Sequence, residues 1–105
     1  MKLTVGILAH NEERAIAATI ASLSAQSIFT DAGVDAQAIV VANGCSDRTA
    51  GAAREALASA QVRDATVVEL AEPGKANAWN VLIHEASRRD TDFFILLDAD
   101  IQFAL

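Results

Sequence analysis

The chain has 105 residues, 52% of them hydrophobic and 21% charged, with a formal net charge of −6. That composition fits one globular unit, and the acidic balance argues against nucleic acid as a partner, since little positive field is available to meet a phosphate backbone. No run approaches the roughly 18 apolar residues that cross a bilayer, Met1 leads straight into a strand rather than a signal peptide, and one cysteine excludes an internal disulfide framework. The expectation is a cytoplasmic protein with no membrane segment in this chain.

Leu3 to Ala9 is an apolar, partly β-branched run that predicts a buried parallel strand. Asn11 then predicts a helix cap, with Glu12 and Glu13 in the favourable first turn and Ile16, Ile20 and Leu23 as the buried stripe. Ala36 to Ala42 predicts a second strand. A second helix follows Asp47 or Thr49 and reaches about Ala60, with Ala53, Leu57 and Ala60 inward. Ala65 to Leu70 predicts a third strand, and a third helix begins near Gly74 and Lys75, with Ala76, Trp79, Ile83 and Ala86 on its inner side. Trp79 is read as core rather than as a ligand platform. Asp92 to Leu97 completes the set as a fourth buried strand.

This alternation predicts an α/β fold in three layers, with a mostly parallel sheet between helices. Right-handed crossovers put all four strand carboxyl ends on one edge, where open α/β sheets bind ligands. The loops gathered there are His10-Asn11-Glu12, Asn43 to Asp47, Ala71 to Lys75 and Asp98-Ala99-Asp100. Asp98 and Asp100 are two residues apart, so in extended backbone both carboxylates face one side. Hard oxygen ligands of that kind suit Mg²⁺ or Mn²⁺ bridged to a phosphate; the plainer reading is a solvated strand end. Neither G-x-G-x-x-G nor G-x-x-x-x-G-K-[ST] occurs, which removes the usual phosphate loops of dinucleotide oxidoreductases and P-loop NTPases.

Four segments, in order, resemble the N-terminal, nucleotide-binding half of a family 2 glycosyltransferase with the GT-A fold. Leu8-Ala9-His10-Asn11-Glu12-Glu13 is similar to the family's Pro-Ala-Tyr/His-Asn-Glu-Glu, and Val41 to Thr49 to its Val-Asp-Asp-Gly-Ser-Thr-Asp-x-Thr. Gly74-Lys75-Ala76-Asn77-Ala78-Trp79-Asn80 resembles Gly-Lys-x-x-Ala-x-Asn, and Asp98-Ala99-Asp100 the Asp-x-Asp metal motif. Ala42-Asn43 departs from the usual Asp-Asp, which bears on the identity of the base.

The resemblance implies strand order 3-2-1-4 and a metal-dependent transfer of sugar from a nucleotide-diphospho-sugar, a UDP-sugar first, to an acceptor hydroxyl. It implies nucleotide contacts from Ala9, His10, Glu12, Asn43, Lys75 and Asp98, and a Mg²⁺ or Mn²⁺ site at Asp98 and Asp100. It makes residues 1–105 the donor-binding part, with the acceptor-binding part and its general base beyond Leu105, so that this part alone is inactive. The acceptor and the oligomeric state are not implied. The alternatives are a nucleotidyltransferase, which would be expected to carry a glycine- and basic-rich loop where His10-Asn11-Glu12-Glu13 stands, and a non-catalytic nucleotide-binding or interaction module. Asn11, Asp47 and Cys45 have structural readings as caps or loop residues, and His84 as a surface or structural residue.

Overall fold

The computed structural model describes residues 1–87 and 90–99. Four parallel strands, β1 (Lys2–Ala9), β2 (Asp35–Asn43), β3 (Asp64–Leu70) and β4 (Phe93–Asp98), form one sheet in the order β3-β2-β1-β4. The expected topology is therefore the observed one. Helices α1 (Ile16–Ser24) and α2 (Thr49–Ser59) cover one face, while α3 (Lys75–Val81) runs into a turn of π-helix (Leu82–Ala86) on the other.

Alternation along the two central strands explains the three layers. Val5, Ile7, Ala38 and Val40 turn to α1 and α2, where Ile16, Ile20, Leu23, Ala53 and Leu57 meet them. Leu8, Ile39 and Val41 turn the other way, to Ala78 and Leu82. Both faces of β1 and β2 are thus covered, and their near-continuous apolar sequence follows from that.

Three expectations need correction. The first helix starts at Ile16 rather than at Asn11, and no acidic residue lies in its first turn. Residues 12–16 instead form a turn in which the amides of Ala15 and Ile16 donate to the Glu12 carbonyl, at 3.0 and 2.9 Å. The inner side of α3 and its extension is carried by Ala78 and Leu82; Ala76 is exposed, and Trp79, Ile83 and Ala86 are only half-buried against that cluster. Finally, β4 is not a buried strand. Phe93 is 60% exposed and Phe94, Ile95 and Leu96 nearly 40%, because β4 pairs with β1 on one side and α3 lies over β1 and β2.

Leu82 can reach the sheet because Gly6 has no side chain. A Cβ at residue 6 would lie 2.9 Å from one Leu82 methyl and closer still to the other, and Leu82 is fully buried with nowhere to retreat.

The loops after β1 and β2 are bound to each other, and the second also to the start of its own helix. Asn11, at φ +52°, accepts on Oδ1 from the Ser46 amide (2.8 Å) and hydroxyl (3.3 Å), while its own amide donates to Cys45 Sγ at 3.4 Å. The Glu12 amide donates to Thr49 Oγ1 at 2.9 Å, and the Glu13 amide to Asp47 Oδ2 at 3.3 Å. In return, Glu13 Oε1 accepts from the Arg48 amide at 2.9 Å. Asp47 Oδ1 also accepts from the Thr49 amide at 3.0 Å and from the Thr49 hydroxyl, at the start of α2. Side chains that look like caps for α1 thus serve the entry to α2. The Thr49 hydroxyl above all, then the Thr49 and Glu13 amides, hold the Asp47 carboxyl below its ordinary value near 3.8, with desolvation opposing.

Two outcomes follow from this packing. Gly6→Ala is expected to lower stability by about 1–3 kcal/mol through overpacking, and Leu82→Ala by about 2–5 kcal/mol through the cavity it leaves. The double variant should cost less than the sum, because each change relieves the other; denaturant midpoints for the four proteins check this. For Asp47, the depressed folded value means that its contribution is full above the ordinary aspartate range and is lost as pH falls through the lowered value. The stability gap between the wild type and Asp47→Asn should therefore narrow as pH is taken below about 4, read from urea midpoints across a pH series.

Candidate functional site

The carboxyl ends of β1, β2 and β4 open into a cleft of about 220 Å³ lined by Leu8, Ala9, His10, Glu12, Asn43, Lys75, Asp98 and Ala99. All six residues expected at a nucleotide lie in this lining. Leu8 and Ala99 join them without having been singled out, and the signal for both was their place beside singled-out neighbours at a strand end. A larger hollow of about 420 Å³ sits at the opposite end of the sheet, among the β2 and β3 amino ends and the loops before them. The smaller cleft is the better candidate because it lies on the strand edge where open α/β sheets hold ligands.

The strand register brings the walls together. Leu8 is level with Asp98 on β4, and Ala9 with Ala42 on β2, so His10 and Asn43 emerge side by side. His10 Nδ1 lies 2.7 Å from the Asn43 carbonyl. A carbonyl only accepts, so Nδ1 carries the proton in this bond and neutral His10 presents Nε2 as an acceptor. Asn43 is only 8% exposed, and its Oδ1 accepts from the Gly74 amide at 3.2 Å. With that oxygen engaged, the amide nitrogen of Asn43 is the group left for a ligand, a donor where the carboxylate of the usual Asp would be an acceptor.

Gly44 makes the contact between the second and third loops possible. Its φ is +61°, and a Cβ there would lie 2.8 Å from Pro73 Cα and closer to the Pro73 nitrogen, while its amide donates to the Leu70 carbonyl at 2.8 Å. The second loop is therefore held on one side by the Asn11–Glu13 turn and on the other by Pro73 and Gly74. Cys45 is part of the same packing: its thiol lies 3.4 Å from the Ala9 carbonyl, to which it donates.

On the fourth side, the Ala99 amide donates to the Leu8 carbonyl at 3.0 Å, and the Thr19 hydroxyl donates to the Ala99 carbonyl. This fixes the end of β4 to β1 and α1. Asp98 shares its pleat side with Leu8, which faces the α3 layer, and its Oδ1 lies 3.5 Å from Lys75 Nζ. Asp100 lies outside the described residues. Trp79 and His84 take no part in the cleft lining.

Among the described residues, no group of three or more His, Cys, Asp or Glu gathers to enclose a metal ion, and no helix is long and apolar enough to cross a membrane. The donor chemistry still fits a hard cation. Asp98 offers exposed carboxylate oxygens in a cleft that Glu12 also lines, and Mg²⁺ is ordinarily held by one or two carboxylates, with phosphate oxygens and water completing its shell.

Comparison with curated proteins and with solved structures gave no match. A family model described as Glycosyl transferase family 2 matches residues 4–104, nearly the whole chain. Members of this family commonly use a divalent metal ion and bind a nucleotide-sugar donor. With the four-stranded parallel sheet and the order β3-β2-β1-β4 behind that match, the chain belongs to glycosyltransferase family 2.

Proposed function

We propose that the cleft binds a nucleotide-diphospho-sugar together with Mg²⁺ or Mn²⁺, and that the protein transfers the sugar to an acceptor hydroxyl. The observation that carries this reading is the convergence of His10, Glu12, Asn43, Lys75 and Asp98 on one cleft at the strand carboxyl ends. In this reading the base lies against Ala9, His10 and Asn43, the ribose hydroxyls meet Glu12, and the diphosphate lies between Lys75 and Asp98. Asp100, two residues beyond Asp98, is assigned to the same cation by its motif. A divalent cation there supplies charge neutralisation to the departing diphosphate.

The residues of the chain do the positioning. Lys75 places a positive charge at the mouth of a cleft in an otherwise acidic chain. Asn43 donates and His10 Nε2 accepts, a pair that suits a ring carbonyl beside a ring N–H. Uracil and guanine both present that pair, and UDP is the first choice because uridine donors are the commonest in the resembled family. The loop after β1, residues 10–15, carries no glycine and a single basic residue, Arg14, which is not the glycine- and basic-rich loop of the nucleotidyltransferase alternative.

Calorimetry with UDP, with and without Mn²⁺, is expected to show binding that strengthens when both are present. Asp98→Ala should weaken the metal-supported binding at least about tenfold while the fold, followed by circular dichroism, is kept; equal affinity in that variant would remove Asp98 from the site. A competition panel of UDP, GDP, ADP and TDP should rank UDP first. Preference for GDP or TDP would replace the donor base, and no nucleotide binding with metal present would overturn the glycosyltransferase reading.

A further inference from the structure

We infer that the Lys75–Asp98 ion pair is a resident counter-ion arrangement that ligand binding exchanges: the cation takes the ammonium's place at Asp98, and the released Lys75 turns to the diphosphate. The inference rests on the nucleotide-sugar reading of the cleft. Among the described residues lining that cleft, Glu12 and Asp98 are acidic and Lys75 alone carries a lasting positive charge, so Asp98 is already partnered by the group a phosphate would need.

The geometry allows the exchange. Lys75 is the first residue of α3 and Asp98 the last of β4, so neither is held to the other by a common element. Their charged atoms are 3.5 Å apart, a loose pair, and the side chains are 66% and 53% exposed. The lysine therefore has room to swing on its flexible stem. Exposed pairs of this kind shift an equilibrium by only about 1.4- to 5-fold, weak enough for a divalent cation to displace and large enough to measure.

The consequence is coupling. A cation arriving alone must give up the Lys75–Asp98 pair, and a diphosphate arriving alone meets two carboxylates and an engaged lysine. When both arrive, the cation is held by Asp98 and the phosphates, and the freed ammonium is used by the phosphates. Each ligand then raises the affinity of the other by the same factor. A lysine that merely stapled α3 to β4 would behave differently, since its loss would loosen the cleft for both ligands alike.

The sign of one measurement separates the two roles. Mn²⁺ binding, followed by the electron paramagnetic resonance of the free ion, is to be compared for the wild type, Lys75→Met and Lys75→Arg, without nucleotide and with UDP. Lys75→Met is expected to bind Mn²⁺ alone about 1.4- to 5-fold more tightly and UDP in the presence of Mn²⁺ several-fold more weakly, while Lys75→Arg stays close to the wild type in both. Unchanged or weaker binding of Mn²⁺ alone by Lys75→Met, in a protein that still binds UDP with Mn²⁺, overturns the exchange and leaves the nucleotide-sugar reading standing. Failure of the wild type to bind UDP at saturating Mn²⁺ overturns this inference together with the UDP assignment on which it is built.

Discussion

The cleft depends on the hydrogen bonds that tie the loop after β1 to the loop after β2. Each strand end by itself would leave its polar residues on a short segment free to sample many conformations, and ordering each such residue costs about 1–2 kcal/mol of backbone entropy. Here the cost is met once for both loops. Asn11 holds Ser46, Glu13 holds Arg48, Asp47 holds Glu13, and Thr49 holds Glu12. His10 and Asn43, which keep hydrogen-bonding edges for a ligand, lie just inside that set of ties and bond to each other. Gly44 lets the third loop press against the same assembly, so the rim is held by side-chain ties and by two positive φ angles, at Asn11 and Gly44. Preorganisation of this kind lets binding energy go to the ligand rather than to ordering the loops.

Much of this was legible in the chain. The runs around Val5 and Val40 are apolar on both pleat sides, as strands covered on both faces must be, and crossover handedness then places the polar loops together. The start of α1 was not legible, because Asn11 has the same chemistry whether it caps its own helix or accepts from Ser46, 35 residues later. Propensity describes what a side chain can do locally; the partner that wins is decided by the sheet register. The inner side of α3 was missed for a related reason. Trp79 is the largest apolar residue there, yet Leu82 reaches deepest, because Gly6 leaves a gap for it. A glycine inside an otherwise apolar strand is a signal of close approach, and Gly6 was the available clue.

The burial of β4 shows the limit of composition. Phe93 to Leu97 reads as apolar as β2, but hydropathy records what a strand would bury and not what lies beside it. Among the described residues β4 has a strand neighbour on one side alone, which leaves it half covered, and Asp92 and Asp98 flank its apolar run. Asp92 also accepts on its side chain from the Lys2 amide at 2.8 Å, so the strand is fastened to β1 at its beginning as Ala99 fastens it at its end.

That double fastening matters for the chemistry at Asp98. The carboxylate is exposed, yet the backbone that carries it is fixed on both sides, by β1 through the register and by α1 through the Thr19 hydroxyl. Lys75 is different: it stands at the start of a seven-residue helix, on a side chain two-thirds exposed. A fixed acid opposite a mobile base is the arrangement in which a counter-ion can be exchanged without moving the framework. The rigid parts of the cleft, His10 and Asn43, face the side assigned to the base, where selectivity needs fixed donors and acceptors, and the mobile charge faces the side assigned to phosphate, where a point charge suffices.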